Sequence, residues 1–166
     1  LRGTELILEG EDIMRHLEGA KKCALMAATI GHRCDREALR LESVSLADAV
    51  TFNAASVSLI EAVSERCQRE IGARVRDEGL YVNGRYSPGY DDLPLSTQRS
   101  LLRLLGAEER LGITLTEGYL MLPRKSVTAI IGLFDYEEAE TQEVRGCRVC
   151  GMRDFCEYRK SGEHCG

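Results

Sequence analysis

Residues 45–78, SLADAVTFNAASVSLIEAVSERCQREIGARVRDE, decide how the chain is read. Leu46, Val50, Ala54, Val57, Ile60, Cys67 and Ile71 recur at the spacing of one helix face, and Gly79 follows as a stop, so the stretch predicts a long helix beginning near Ser45. A shorter helix precedes it from about Asp35. Downstream, Ile113–Leu122 and Ser126–Phe134 read as strands separated by Pro123-Arg124-Lys125, and together as an antiparallel hairpin. Upstream, the mostly apolar run Lys22–Ile30, closed by Gly31, suits a buried strand, with helix as the alternative, and Thr4–Leu8 alternates like a short strand. Gly10-Glu11-Asp12 opens a short helix carrying Ile13, Met14 and Leu17 and ended by Gly19. Ser96 is placed to cap a helix through Leu105, with Gly106 as its stop. The expectation is an α+β fold: a twisted antiparallel sheet packed against long helices, with a small Cys-rich C-terminal tail.

A chain of 166 residues, 43% of them hydrophobic, can bury one core and carry an appendage. With 5% aromatic residues and no Trp, that core must come from Leu, Ile, Val and Ala. The net charge of −5, with no basic run before Arg145, argues against a binder of nucleic-acid backbones. The longest apolar runs, such as Val127–Phe134, fall well short of the roughly 20 residues of a membrane span, and no basic, apolar, small-residue series opens the chain. The expectation is a soluble, cytoplasmic protein with no membrane contact. Cys23, Cys34 and Cys67 stand singly, as buried free thiols in a reducing compartment do. Residues 135–143 hold five acids and no base, and the sequence turns basic and cysteine-rich from Arg145. A boundary near residue 136 therefore separates a domain, 1–136, from an acidic joint and tail, 137–166.

Two constellations point to ligand chemistry. The loop Gly84-Arg85-Tyr86-Ser87-Pro88-Gly89-Tyr90 sets one guanidinium beside a Pro-Gly turn and between two tyrosines. Arg presents a rigid fork that matches a carboxylate with two parallel hydrogen bonds, and Gly lets a ligand approach the backbone closely, so the loop suits a small anion bearing a flat ring. The plainer reading of Arg85 is a solvated charge beside a common turn. Glu61 is the first charge after ten uncharged residues, Thr51 to Ile60; it either sits at the core's edge facing water or meets a cation, and Asn53, two turns earlier, could line the same cleft.

In the tail, Cys147, Cys150, Cys156 and Cys165 are separated by two, five and eight residues. Thiolates so spaced can close a zinc site or hold an iron–sulfur cluster; free or redox-active thiols are the alternative. His16 and His32 lack partners at ligand spacing and read as structural or surface residues, while Asp91 and Asp92 suit helix capping or solvation. No nucleophile–base pair, phosphate-cradling glycine loop or paired carboxylates at a credible site are evident.

Arg85-Tyr-Ser-Pro-Gly-Tyr90, Leu115-Thr116-Glu117, Leu122-Pro123 and Ser126-Val127-Thr128 resemble, in order and spacing, the motifs of the activation domain of cobalamin-dependent methionine synthase: an Arg-x-Ala-Pro-Gly-Tyr loop, Leu-Thr-Glu-Ser, Met-x-Pro and a Ser-Val-Ser strand. The stretches 8–13 and 25–31 look like the free-standing bacterial form of that domain. The resemblance implies an S-adenosylmethionine site in which Arg85 holds the methionine carboxylate, the backbone around Ser87, Pro88 and Gly89 reads the adenine, and Glu61 lies near the ligand's positive groups. It places Tyr90 against the corrin ring of a partner. It further implies cobalamin on a corrinoid-binding methyltransferase and a flavodoxin- or ferredoxin-type reductant. The chain departs from the full-length form in being shorter, in Ser87 for alanine, in Gly118 for serine, and in the tyrosine after the last strand, for which Tyr136 is the nearest candidate. The competing expectation is a metal- or iron–sulfur-binding accessory or electron-transfer protein whose working part is the tail, and a third is a structural adaptor for a corrinoid protein.

Overall fold

The structure, a computed structural model, describes residues 1–137. Its elements in chain order are α1 (Glu11–His16), β1 (Lys22–Thr29), α2 (His32–Val44), α3 (Leu46–Arg76), β2 (Tyr81–Val82), α4 (Thr97–Leu105), α5 (Ala107–Leu111), β3 (Thr114–Leu115), β4 (Met121–Leu122) and β5 (Ser126–Phe134). The fold is α+β. Three antiparallel strands form the main sheet in the order β1-β5-β2, and β3 with β4 makes a separate two-stranded piece.

The long helix forms where its periodicity predicts. Ser45 is its N-cap, with its side chain accepting from the Asp48 N–H at 3.3 Å, which satisfies one of the donors a helix start leaves unpaired. Ile60, Val63, Cys67 and Ile71 of α3 pack on Met26, Ala28, Ala129 and Ile131 of the sheet. The opposite face takes α1 and α4, where Ile13, Tyr86, Leu93, Leu101 and Ile130 form a second cluster. Alternation along β5 deals Ala129 and Ile131 to one cluster and Ile130 to the other. Each large aliphatic side chain removed from water here contributes about 1.5–3 kcal/mol. A strand buried on both faces reads as a continuous apolar run, which is why Val127–Phe134 lacks a polar side.

Three expectations are corrected. Thr4–Leu8 forms no strand, although Leu6 is buried. Ile113–Leu122 does not pair with β5: it folds back on itself, with the Thr116 N–H donating to Leu120 O and Thr116 Oγ1 accepting from the Leu120 N–H. The turn Glu117-Gly118-Tyr119 lies within that stretch, and β5 instead takes β1 along its whole length on one side. Ser96 sits at the N-cap of α4 but makes no side-chain cap bond. One 18-residue window of α3 also has a mean hydropathy of 1.3, long and apolar enough by composition for a membrane span and only 17% buried, a property the short uninterrupted runs did not reveal. Ile60, Val63, Cys67 and Ile71 of this helix are nevertheless committed to the sheet.

Candidate functional site

Between Val82 and Tyr86 the chain stays beside β5. Asn83 N–H donates to Gly132 O at 3.2 Å, and Tyr86 and Ile130 exchange both backbone bonds at 2.9 and 2.8 Å. Alternation sends the Tyr86 ring into the α1–α4 cluster and turns Arg85 toward α3. Arg85 Nη2 there donates to Glu61 Oε2 at 3.1 Å, with Arg85 only 18% exposed and Glu61 53%. The other terminal nitrogen, Nη1, is sealed from solvent and has no partner among the described residues. A desolvated guanidinium with one arm unanswered is costly.

After Tyr86 the chain leaves the sheet. Tyr90 N–H donates to Ser87 O at 3.1 Å, with Pro88 second and Gly89 third in the turn, and Gly89 has φ +91°; this is the residue pairing of a type II turn. Pro88 is buried while Tyr90 projects, 57% exposed, its ring edge-on to Tyr86 at 6.1 Å. The loop is braced by α1. Asp92 accepts from the Glu11 N–H at 2.5 Å and from the Asp12 N–H at 3.3 Å, and a side chain at Gly10 would collide with it. Asp92 therefore caps α1, as an Asp at a helix start does, and Asp91 accepts from the Tyr86 hydroxyl at 3.0 Å. Burial, reinforced by that bond to Asp91, raises the Tyr86 pKa far above the usual phenol range, so Tyr86 remains a hydrogen-bond donor. His16 packs on the Tyr86 ring at 5.0 Å, and burial lowers its pKa against the opposing effect of a bond to the Gly84 backbone.

These parts enclose a cleft of about 1050 Å³. One wall is α3, through Glu61, Glu65 and Gln68. The loop supplies Arg85, Ser87, Pro88 and Tyr90, the far wall is the turn at Tyr119–Met121 with Arg124, and the floor is the start of β5 with Gln98 of α4. The structure thus brings Glu61, Arg85, Ser87, Pro88 and Tyr90 together at one cleft, with Gly89 in the turn that shapes its rim. It does not bring Asn53, which is exposed and accepts from Lys125 Nζ at 2.8 Å. Nor does it bring Tyr136, which packs on Phe134 at the other end of β5. Gln98, Tyr119 and Arg124 were not singled out as site residues in the sequence, and Thr128 entered only as part of the Ser126-Val127-Thr128 motif. The available signal was Gln98, a carboxamide in register with Leu101, Leu102 and Leu105 on the apolar face of α4.

The cleft presents two carboxylates and two guanidiniums beside tyrosine rings, which suits a small ligand carrying both charge signs and a flat group. Among the described residues no group of three or more His, Cys, Asp or Glu is placed to hold a metal ion. Cys147, Cys150, Cys156 and Cys165, with the proposed joint, lie outside the described residues. Residues 12–160 match the family described as vitamin B12 dependent methionine synthase, activation domain. The chain belongs to that family. The match starts inside α1, spans the whole cleft and continues through Cys147, Cys150 and Cys156, so it covers the loop, Asp12 and Asp92 of its brace, and most of the tail. It ties the chain to the activation of a cobalamin-dependent methionine synthase.

Proposed function

We propose that the chain binds S-adenosylmethionine in this cleft and presents it for the reductive remethylation of a corrinoid carried by a partner methyltransferase such as methionine synthase. The observation that carries the reading is Arg85: its guanidinium is held at the cleft wall by Glu61, with a second arm shielded from water and lacking an acceptor. A ligand carboxylate supplies that acceptor once the guanidinium, which lines the cleft, turns Nη1 into it. Glu61, already turned into the cleft, then faces the ligand's ammonium and sulfonium groups, while the Ser87–Gly89 backbone reads the base. The transfer chemistry belongs to the sulfonium ligand and to the partner's corrinoid, with one electron from a flavodoxin- or ferredoxin-type protein. This chain's residues bind, orient and exclude water. Tyr90, exposed at the rim, lays its ring on the partner's macrocycle with its hydroxyl wet.

Calorimetry tests the binding. Arg85→Ala weakens S-adenosylmethionine by about 1.5–3 kcal/mol, the worth of a bond to a charged group, and Glu61→Gln weakens it more than it weakens S-adenosylhomocysteine, which lacks the sulfonium charge. Wild-type protein that binds neither compound refutes the proposal. For the docking step, mixing with a cob(II)alamin-loaded partner, S-adenosylmethionine and a low-potential reductant should give methylcobalamin absorbance that Tyr90→Ala abolishes while leaving ligand binding intact.

A further inference from the structure

The floor of the cleft holds donors and an acceptor that nothing so far uses. Along β5, Ile130 and Gly132 direct their backbone groups toward the 83–86 segment: Ile130 exchanges both bonds with Tyr86, and Gly132 O accepts from Asn83 N–H. Backbone direction repeats every second residue, so Thr128 turns its N–H and C=O to the same side. Continuing the register by two residues would set Pro88 opposite Thr128. Proline has no N–H to donate to a ladder, and at Pro88 the chain bends into its turn. Thr128 therefore lines the cleft at a stretch of sheet edge that has no strand partner among the described residues, although it is only 1% exposed.

Beside it lies Gln98, 3% exposed and also lining the cleft. Thr128 Oγ1 donates to Gln98 Oε1 at 2.9 Å. That bond fixes the carboxamide, because its oxygen is engaged and its nitrogen must point away. The nitrogen has no partner among the described residues, yet it is not among the sealed, unpartnered side-chain atoms, which are His16 Nε2, Ser64 Oγ and Arg85 Nη1. With the rest of the side chain on the apolar face of α4, the cleft is the opening it faces. An unpartnered carboxamide there costs more than the leucine that would suit the stripe.

A carboxamide N–H₂, a backbone N–H and a backbone C=O thus meet at one edge. They offer no charge, so they do not suit the carboxylate, which Arg85 meets. Two adjacent hydroxyls, each both donor and acceptor, would answer all three. Resting on the S-adenosylmethionine reading, we infer that Gln98 and the Thr128 edge form the subsite for the ribose hydroxyls, and that Gln98 makes the cleft selective for ribonucleosides. A site built to bond a hydroxyl discriminates against the analogue lacking it, because its own polar groups are then left unpaired.

The test is a ligand–variant cycle by calorimetry with S-adenosylhomocysteine and its 2′,3′-dideoxy analogue. Wild type should bind the dideoxy compound about 10-fold more weakly or worse, the worth of one or two neutral hydrogen bonds. Gln98→Met should bind S-adenosylhomocysteine about 10-fold more weakly while changing little toward the analogue, so that discrimination collapses. Gln98→Glu keeps an oxygen for Thr128 and serves if Gln98→Met does not fold; it too should lose discrimination. A variant that weakens both ligands by the same factor reveals a purely structural residue and overturns the inference, as does a wild type indifferent to the hydroxyls. Wild-type protein that binds neither S-adenosylmethionine nor S-adenosylhomocysteine overturns the function proposed above, and this subsite with it.

Discussion

Asn83 is the residue whose removal should disturb the domain most for its size. Its Oδ1 accepts from Gly132 N–H at 2.8 Å, its Nδ2 donates to His16 O at 2.8 Å, and its own C=O accepts from Gln68 Nε2 at 3.0 Å. One side chain thus joins the central strand, the end of α1 and, through its backbone, α3. Asn83→Ala deletes two bonds and leaves a buried N–H and a partly buried C=O unanswered, each costing about 1–3 kcal/mol. Allowing water to reach the His16 carbonyl, the total is about 2–4 kcal/mol. With a urea m-value of about 2 kcal/mol/M, the unfolding midpoint should fall by about 1–2 M. Asn83→Asp keeps the acceptor for Gly132 but turns a second oxygen on the His16 carbonyl, so it should recover at most half of the loss. An Asn83→Ala protein within about 0.5 kcal/mol of wild type, the range of ordinary surface changes, would show that the three elements hold together without it.

Gly132→Ala should destabilise by about 1–3 kcal/mol, as overpacking does, because a Cβ there would stand 2.7 Å from Phe134 Cε2 and 3.2 Å from Asn83 Nδ2; adding Phe134→Leu should cost less than the two single changes combined, and strict additivity in denaturation would remove the proposed clash. Since burial lowers the folded-state pKa of His16, the unfolded chain binds more protons as pH falls below the ordinary imidazole value of 6.5. The His16 contribution is then present above that pH and lost as pH falls below it. Urea midpoints should accordingly decline from pH 7.5 to 5.5 more steeply in wild type than in His16→Gln, and parallel curves would contradict this. The spacing of Cys147, Cys150, Cys156 and Cys165 predicts near-stoichiometric zinc or iron in protein purified without oxygen, lost on Cys147→Ser; metal-free protein with four readily titrated tail thiols would end that expectation.

The parts of the fold legible in sequence were those governed by local chemistry. Ser45 caps, Gly79 and Gly106 take positive φ after helices, and the apolar stripe of residues 45–78 repeats with the helix period, so each announces itself within a few residues. Strand partnership is a long-range choice. Val127–Phe134 looks as able to pair with Ile113–Leu122 as with Lys22–Thr29, and only its burial on both faces, a property of the assembled layers, demands a central position. At the site, the Arg85–Tyr90 loop stood out because Pro-Gly and an Arg between tyrosines are locally distinctive. Gln98 and Thr128 did not, since a glutamine on a helix and a threonine in a strand are ordinary until their hydrogen bond to one another places them at a cleft.

The brace on the loop also governs when the cleft can exist. Asp92 reaches back 81 residues to α1, Asn83 reaches back 67 residues to His16 and forward 49 to Gly132. Contacts of such separation pay their loop-closure entropy before they return any stabilisation, and they form late and together. During synthesis the loop lacks its bonds to Ile130 and Gly132 until β5 has been made, so a fragment ending before β5 should not carry a working cleft. A ligand held there binds only the completed domain, and at 100 times its Kd it adds about 2.7 kcal/mol against global unfolding.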